Sequence, residues 1–472
     1  VQKRELWKHQ QKAVDICADR AHFGLFFDMG TGKTATALHI LRQKCVQNRR
    51  PLNTLILCPL IVKQNWRNEI EMFAPKLLEY VVILEGTGKQ RVKQLAEVAL
   101  SGKAKIIITN IDTINMQDTW SALCNFHWEA LIVDEAHKFK GFNSKRTKKL
   151  LRFRNEQKLL MSLILTGTPV LNTPMDLWSE FQIMDPTIFH KNFYAWRSKY
   201  FYDANAGMPA SKHFPDYKIM PSAVKELNTI VHLHSMRVMK NDVLDLPPFI
   251  RQRVTSEMAP EQSQLYKAMK KDFVAYLDTA QGTKASVAEL AIVKGLRLQQ
   301  LVSGVFKDDK GEVTLLETPR TKVLKELLEG IPKDAKIIVW CVFKDNYKQV
   351  AAVCKELEIE HLFLTGLQNE REKFSNVDNF NSKRGARVLI ANQGAGGVGI
   401  NLVASTYSIY YSRNFSLEHD LQSEARNYRG GQTKKVTRID IITPDTIDEH
   451  MLNALAKKQN MSEAILQLKD KL

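Results

Sequence analysis

Two stretches of this chain read GTGK: Gly30–Lys33 within FFDMGTGKTATALHI and Gly86–Lys89 within VVILEGTGKQRV. A glycine-rich turn ending in lysine can hold phosphate. Glycine lets the backbone aim its N–H groups at the anion, and a following helix adds partial positive charge. The first copy follows an apolar run, Phe23 to Phe27, that predicts a strand, and enters TATALHILRQK, which predicts a helix. In that context Met29, Gly30, Thr31 and Gly32 wrap the phosphates, Lys33 reaches the β/γ-phosphates, and the Thr34 hydroxyl holds Mg²⁺. Phe27 stands where the longer GxxxxGK(S/T) pattern has glycine, so a plain strand-to-helix turn is the competing reading. In the second copy Gln90 replaces the hydroxyl residue, and QRVKQLAEVAL reads as an ordinary amphipathic helix start. That copy predicts a surface turn.

About a hundred residues beyond the first loop comes LIVDEAHKF. A strand ending in two acids puts both at the carboxyl edge of a parallel sheet, where such folds bind ligands. Asp134 is then placed to hold Mg²⁺ through its water shell, and Glu135 to orient and deprotonate an attacking water. A helix cap is the alternative for the tetrapeptide alone; the phosphate loop on the same lobe argues against it. Directly after it, KFKGFNSKRTKKLLRFR (Lys138 to Arg154) carries eight basic residues and no acid. Such runs are usually solvated faces. Beside these motifs, part of this one becomes a candidate nucleic-acid contact.

The elements that must position these groups repeat one theme: a short apolar run, a turn, then a helix-length stretch. The runs are FGLFF, TLILCP, VVILE, KIIITN, ALIVDE and LILTGT, then KIIVWC, HLFLTG, RVLIAN, YSIYYS and RIDII. Uniformly apolar strands separated by helices predict parallel sheets buried on both faces, an α/β class with two lobes. The first lobe is expected over residues 1–245, with a helical insertion at about 172–235. The second is expected over 246–472, with one at about 260–315 and a chain reversal at Leu246-Pro247-Pro248. The 472 residues have 44% hydrophobic and 25% charged content, ordinary for soluble globular chains. No apolar run approaches the ~18 residues of a membrane span, and no leader pattern opens the sequence. The six cysteines never form a CxxC pair and read as reduced core thiols; the histidines show no HExxH spacing. The net charge of +17 attracts polyanions, nucleic acid first, although a merely soluble basic protein fits it too.

Taken in order, these motifs resemble the Swi/Snf family of superfamily 2 helicase-like ATPases along almost the whole chain. LWKHQQKAV resembles the adenine-reading segment, with Gln10 as base contact. LILCPLIVKQNWRNEI, which holds Lys63, resembles motif Ia; IIITNID, with Thr109 and Asn110, stands for Ib; LILTGTPVLN matches motif III. RVMKNDVLDLPP resembles the junction between lobes, KIIVWCVF motif IV, VLIANQGAGGVGINL motif V, QSEARNYRGGQ motif VI, and TIDEHMLNAL the closing helix. The resemblance implies two RecA-like lobes with ATP and Mg²⁺ between them. Arg426 and Arg429, three apart on one helical face, would be the arginine fingers, with Gly399 and Gln432 at the nucleotide. It implies double-stranded DNA as the track, held by its backbone with little sequence preference. Lys63, Thr109, Asn110, Lys145, Arg146, Lys148 and Gln393 are the expected contacts. The expected activity is DNA-stimulated ATP hydrolysis that drives translocation and remodelling. An RNA or strand-separating helicase, a restriction-type motor subunit, and a nucleotide-gated binder without turnover are the alternatives. Ala425 stands where the family has an acid, Asn392 and Gln393 where it has Ser/Thr, and Arg413–Ser416 where it has Trp-Asn-Pro. With no bromo-, chromo- or zinc-type segment in view, the expectation is a bare, monomeric motor of bacterial or phage type. It would be cytoplasmic, or nuclear in a eukaryote.

Overall fold

The computed structural model describes residues 5–102, 105–167, 174–207, 215–243, 246–279, 284–307, 312–394, 400–413 and 416–456. The chain divides into two compact units that meet in sequence between Asp245 and Leu246.

The first unit is built on strands β1 (His22–Phe27), β2 (Thr54–Cys58), β3 (Val81–Ile83), β4 (Ile106–Asn110), β5 (Ala130–Asp134), β6 (Met161–Leu165) and β7 (Ser235–Val238). They form one sheet in the order β3-β4-β2-β5-β6-β1-β7, every pair parallel. Successive residues of a strand face opposite sides, and here both sides are covered. Leu55, Leu57, Leu131 and Val133 pack into one apolar cluster; Ile56, Cys58, Ala130 and Ile132 pack into another. The helices Asp176–Met184, Phe193–Tyr200 and Val224–His234 belong to the first of these cores through Trp178, Phe181, Trp196 and Leu227. They extend the lobe's own core.

The second unit holds β8 (Phe249–Thr255), β9 (Lys336–Cys341), β10 (His361–Leu364), β11 (Val388–Asn392), β12 (Ser405–Tyr410) and β13 (Val436–Ile442). The order is β8-β13-β12-β9-β11-β10, again parallel throughout. Residues 246–248 lead directly into the edge strand β8, whose partner β13 opens with Val436 N–H donating to the Pro248 carbonyl. Two long helices, Pro260–Thr279 and Lys284–Val302, precede β9; Tyr266, Leu298 and Leu301 pack against Ile447 and Met451 of the closing helix. Among the described residues no helix is long and apolar enough to cross a membrane.

Candidate functional site

Strands β5, β6 and β1 are neighbours in register, with Asp134 opposite Leu165 and Leu165 opposite Leu25. Their carboxyl ends therefore deliver three segments to one place: Asp134–Glu135, Thr166–Gly167 and Asp28–Lys33. A Cβ added to Gly167 would lie 3.6 Å from the Lys33 ammonium and 3.4 Å from the Phe27 carbonyl. The Thr166–Gly167 segment thus lies in van der Waals contact with the loop and its lysine.

The loop turns through left-handed backbone at Gly30 and Gly32, both at φ +83°. Gly32 precedes the helix Lys33–Gln47 and has no side chain to cap it. The first N–H groups of that helix are thus presented to an anion. Lys33 Nζ folds back on the Phe27 carbonyl at 2.8 Å and the Asp28 carbonyl at 3.4 Å. Phe27, the departure from the glycine pattern, is a buried strand residue, and the turn begins at Asp28. Asp28 anchors the loop to its surroundings: its carboxylate accepts from Lys240 N–H at 3.0 Å and its carbonyl from the Thr31 hydroxyl at 2.7 Å. His9 meets the Thr31 carbonyl at 2.9 Å. Gln10 is buried, accepts the Trp7 N–H at 2.8 Å and donates to the Gly32 carbonyl at 3.3 Å. Thr34 is half-buried at the start of the helix.

Asp134 is buried, and its carboxylate accepts the Trp66 indole N–H at 3.1 Å and the Glu135 N–H at 3.0 Å. Burial, with the Glu135 charge second, pushes its pKa up to about 6, against the pull of Lys33 and Trp66. Glu135 is fully buried in left-handed backbone, φ 53°, a conformation that costs a non-glycine residue energy and clusters at functional sites. Its carboxylate lies 3.2 Å from His137 Nδ1, which also meets the Thr166 hydroxyl at 3.0 Å. His137 thereby couples the acid pair to the neighbouring strand. On the helix packed against this turn, the fully buried Glu180 has its carboxyl held well above the ordinary range, chiefly by burial. Trp66, His137, Thr166, Gly167 and Asp28 all lay inside quoted motifs without a role. Their spatial neighbours, not their own spacing, reveal what they do. Among the described residues no group of three or more His, Cys, Asp and Glu side chains is arranged to hold a metal ion by itself. Mg²⁺ needs none, since it binds through one or two carboxylates plus substrate phosphates. Asp134 and Thr34 offer it oxygens, and the open helix terminus fits the phosphates that would complete its shell.

The second GTGK is differently made. The Gln90 carboxamide oxygen accepts from the Thr87 N–H at 2.7 Å and the Thr87 hydroxyl at 3.1 Å, and a Cβ on Gly86 would strike that oxygen at 2.3 Å. The helix Gly88–Leu100 is closed by its own side chain, with Lys89 exposed beside it.

The expected polymer contacts divide. Lys145 and Lys148 are exposed in the first turn of the helix Lys145–Glu156, and Arg146 is half-buried 3.8 Å from Asp112. Cations at a helix N-terminus oppose the dipole, so helix stability does not explain them. Arg154 is buried and donates to the Ile183 and Met184 carbonyls, while Lys149 donates to Ile114. These two hold the fold. Lys63 is buried and donates to the Leu84 carbonyl at 3.1 Å; Thr109 is fully buried on Thr113. Asn110 accepts from Arg91 and Thr113, each at 2.8 Å. Lys63, Thr109 and Asn110 thus brace the ends of their elements with their side chains turned inward.

In the second unit the helix Leu417–Glu424 stops before Ala425, so Arg426 and Arg429 lie in the turn after it and not on a helical face. Mixed bonds make that turn: Arg426 N–H to Ser423, Tyr428 to Glu424, Gln432 to Arg429, with Gly431 at φ 96°. Arg426 is buried and reaches the Ile400 carbonyl at 3.5 Å; Arg429 is half-buried. The Gln432 amide donates to the Val403, Ser405 and Asn427 carbonyls, which fixes the turn rather than facing outward. Gln393 is buried and donates to the Ser423 hydroxyl at 3.3 Å. Asn392 donates to Cys341, Val342 and Tyr347. Beside Ala425, Glu424 pairs with Arg438 at 3.3 Å and Arg251 at 2.6 Å. Buried Arg413, in place of the expected tryptophan, pairs with Asp440 at 3.0 Å. Gly399 lies outside the described residues.

Comparison with known proteins identifies the family. The SNF2-related domain matches residues 9–303, and the helicase conserved C-terminal domain matches residues 319–431. An uncharacterized ATP-dependent helicase of Mycoplasma genitalium is 27% identical over 465 residues, 98% of this chain and 42% of its own length. The ISWI chromatin-remodeling complex ATPase ISW1 of Saccharomyces cerevisiae is 23% identical over 473 residues, 97% of this chain and 39% of its own. The chain thus spans about two fifths of the length of these relatives. Among solved structures, the Sulfolobus solfataricus SWI2/SNF2 ATPase core in complex with dsDNA aligns over 99% of this chain and 95% of its own, at 24% identity and TM-score 0.45. With one family model covering well over half its residues, the chain belongs to the SNF2-related family.

Proposed function

We propose that this chain is an ATP-hydrolysing motor that translocates on double-stranded DNA without separating its strands. The observation that carries the reading is the meeting, at three neighbouring strand ends, of an uncapped phosphate loop, Lys33 and the pair Asp134–Glu135. Lys33 and the loop N–H groups bind and orient the β/γ-phosphates, and Thr34 and Asp134 would hold Mg²⁺. The metal, when bound, neutralises charge on the transferring phosphoryl group. Glu135, oriented by His137, positions the attacking water and takes its proton. Arg426 and Arg429 of the second unit supply positive charge as the leaving group develops negative charge. Lys145, Arg146 and Lys148 grip backbone phosphates, which carry no sequence information.

ATP turnover is expected to rise severalfold or more with double-stranded DNA and far less with single-stranded DNA or RNA. ATP should also drive a third strand off a DNA triplex while a forked duplex stays paired. Efficient fork opening, or stimulation by RNA alone, overturns the reading in favour of a helicase.

The metal site gives a separate expectation. With its pKa near 6, Asp134 holds a proton below that pH, and the cation must displace it. Mg²⁺ binding to the nucleotide-loaded protein should therefore release a proton near pH 5.5–6 and none at pH 8. Calorimetry in two buffers of different ionisation enthalpy reads this, and Asp134→Asn should abolish the difference. Burial raises this pKa above the unfolded value, so the sign for stability is opposite to that of a salt-bridged acid. Without metal, the lobe is favoured by the neutral form below pH 4 and loses that contribution as pH rises through about 6.

A further inference from the structure

The acids of the helix Leu417–Glu424 are held by cations from the sheet. Buried Arg438 of β13 takes Asp420 at 2.8 Å and Glu424 at 3.3 Å, one helical turn apart, and Asp440 at 3.1 Å. Buried Arg413 also pairs with Asp440, so two cations face three acids and one negative charge is left over. The balancing cation is Arg251 of the edge strand β8, 2.6 Å from the same Glu424 oxygen that Arg438 meets. Arg251 and Arg438 stand directly opposite in register, where like charges repel, and the Glu424 carboxylate bridges them. Arg251 is 60% exposed, while the other five groups are buried. A charge that only kept an edge strand from pairing elsewhere would need no such partner.

Two residues before Arg251, on the same side of the strand, the Phe249 ring packs on the Tyr428 ring with centroids 4.5 Å apart. Tyr428 N–H donates to the Glu424 carbonyl at 3.2 Å, and Arg429 follows it in the chain. β8 therefore holds the turn at two points, at Glu424 where it opens and at Tyr428 beside Arg429. The strand is entered directly from Leu246-Pro247-Pro248, where the two units meet in sequence, and prolines of fixed φ leave that entry little slack. We infer that Phe249 and Arg251 are positioning residues for ATP hydrolysis, setting through Tyr428 and Glu424 where the Arg429 guanidinium stands. This rests on Arg429 completing the nucleotide site. Charge stabilises a transition state only where it is placed in advance, and a shift of about 1 Å made far from the chemistry can cost ~10²-fold in rate. Neither side chain need touch the nucleotide; both act through the turn.

The test is single-turnover hydrolysis at saturating ATP and saturating duplex DNA, which removes the effect of any weakened polymer contact. It compares Arg251→Ala, Arg251→Lys and Phe249→Ala, and each Ala variant again in an Arg429→Ala background. Arg251→Ala and Phe249→Ala should each slow hydrolysis roughly 10- to 10²-fold and leave ADP affinity within about twofold, with Arg251→Lys between. In the Arg429→Ala background the same substitutions should cost less than about twofold, because their effect passes through that arginine. A wild-type rate in Arg251→Ala, whose exposed side chain can be cut without unfolding the lobe, overturns the proposal and leaves Arg429 its role. An equal loss with and without Arg429 overturns it too, making the two residues braces of the fold. If Arg429→Ala alone hydrolyses ATP at the wild-type rate, the reading of the second unit falls and this inference with it.

Discussion

Lys33→Ala is expected to lower ATP turnover by about 10³-fold or more, while Lys89→Ala leaves it within a few-fold of wild type. The two lysines end identical tetrapeptides, so the difference must come from what surrounds them. Lys33 sits at the carboxyl ends of three central strands, close enough to Asp134 to hold down its pKa, and the helix it opens has no side-chain cap. Its ammonium rests on two loop carbonyls, partners that a phosphate would replace with a stronger, charge-assisted bond. Lys89 opens a helix whose entrance is occupied by Gln90, at the far edge of the sheet after β3. Truncating it removes only a solvated charge. Steady-state ATPase assays on both variants, with binding of ADP measured in parallel, decide the matter. Equal damage from both substitutions, or none from either, sinks the assignment of the first loop.

The interior of the fold was legible because burial on both faces writes itself as unbroken apolar runs. Leu55 to Leu57 and Ile106 to Ile108 could not be anything but central parallel strands once their spacing was seen. Two of the edge strands, β7 and β8, were not legible for the opposite reason. In β8, FIRQRVT exposes Arg251, Gln252 and Arg253, and β7 is the short SMRV. Edges are kept short and charged, which discourages pairing with other chains and also removes the apolar signal.

At the site, local chemistry read well and side-chain direction did not. The glycines of the first loop and the acids after β5 are dictated by backbone geometry, which sequence encodes directly. Whether a lysine faces solvent or a neighbouring carbonyl depends on the element lying across from it. Lys63 and Arg154 turn inward because Leu84 and Ile183 offer carbonyls there. The helical spacing assumed for Arg426 and Arg429 failed because the helix stops at Glu424, held by Arg438 and Arg251. The pairing of Arg413 with Asp440 likewise cannot be seen from either residue alone.

Arg429→Ala should leave ATP affinity within about tenfold of wild type and reduce DNA-stimulated turnover by ~10³ or more, the range a lost arginine finger produces. Such a charge interacts mainly with the transition state, so its removal shows in kcat rather than in binding. The second unit makes the two candidate arginines unequal. Arg426 is buried against its own lobe with a bond to Ile400, whereas Arg429 is half-buried at the open end of a turn fixed by Gln432. Arg426→Ala should therefore carry a larger folding cost than Arg429→Ala, visible as a lower melting temperature, together with a milder direct effect on chemistry. Arg429→Lys separates charge from geometry: a single ammonium keeps the charge and loses the planar fork that matches phosphate oxygens, so partial rescue is expected. Single-turnover hydrolysis at saturating ATP measures the chemical step without product release. If Arg429→Ala hydrolyses ATP at the wild-type rate in that assay, the second unit does not complete the site, and the loop and acid pair of the first must act alone.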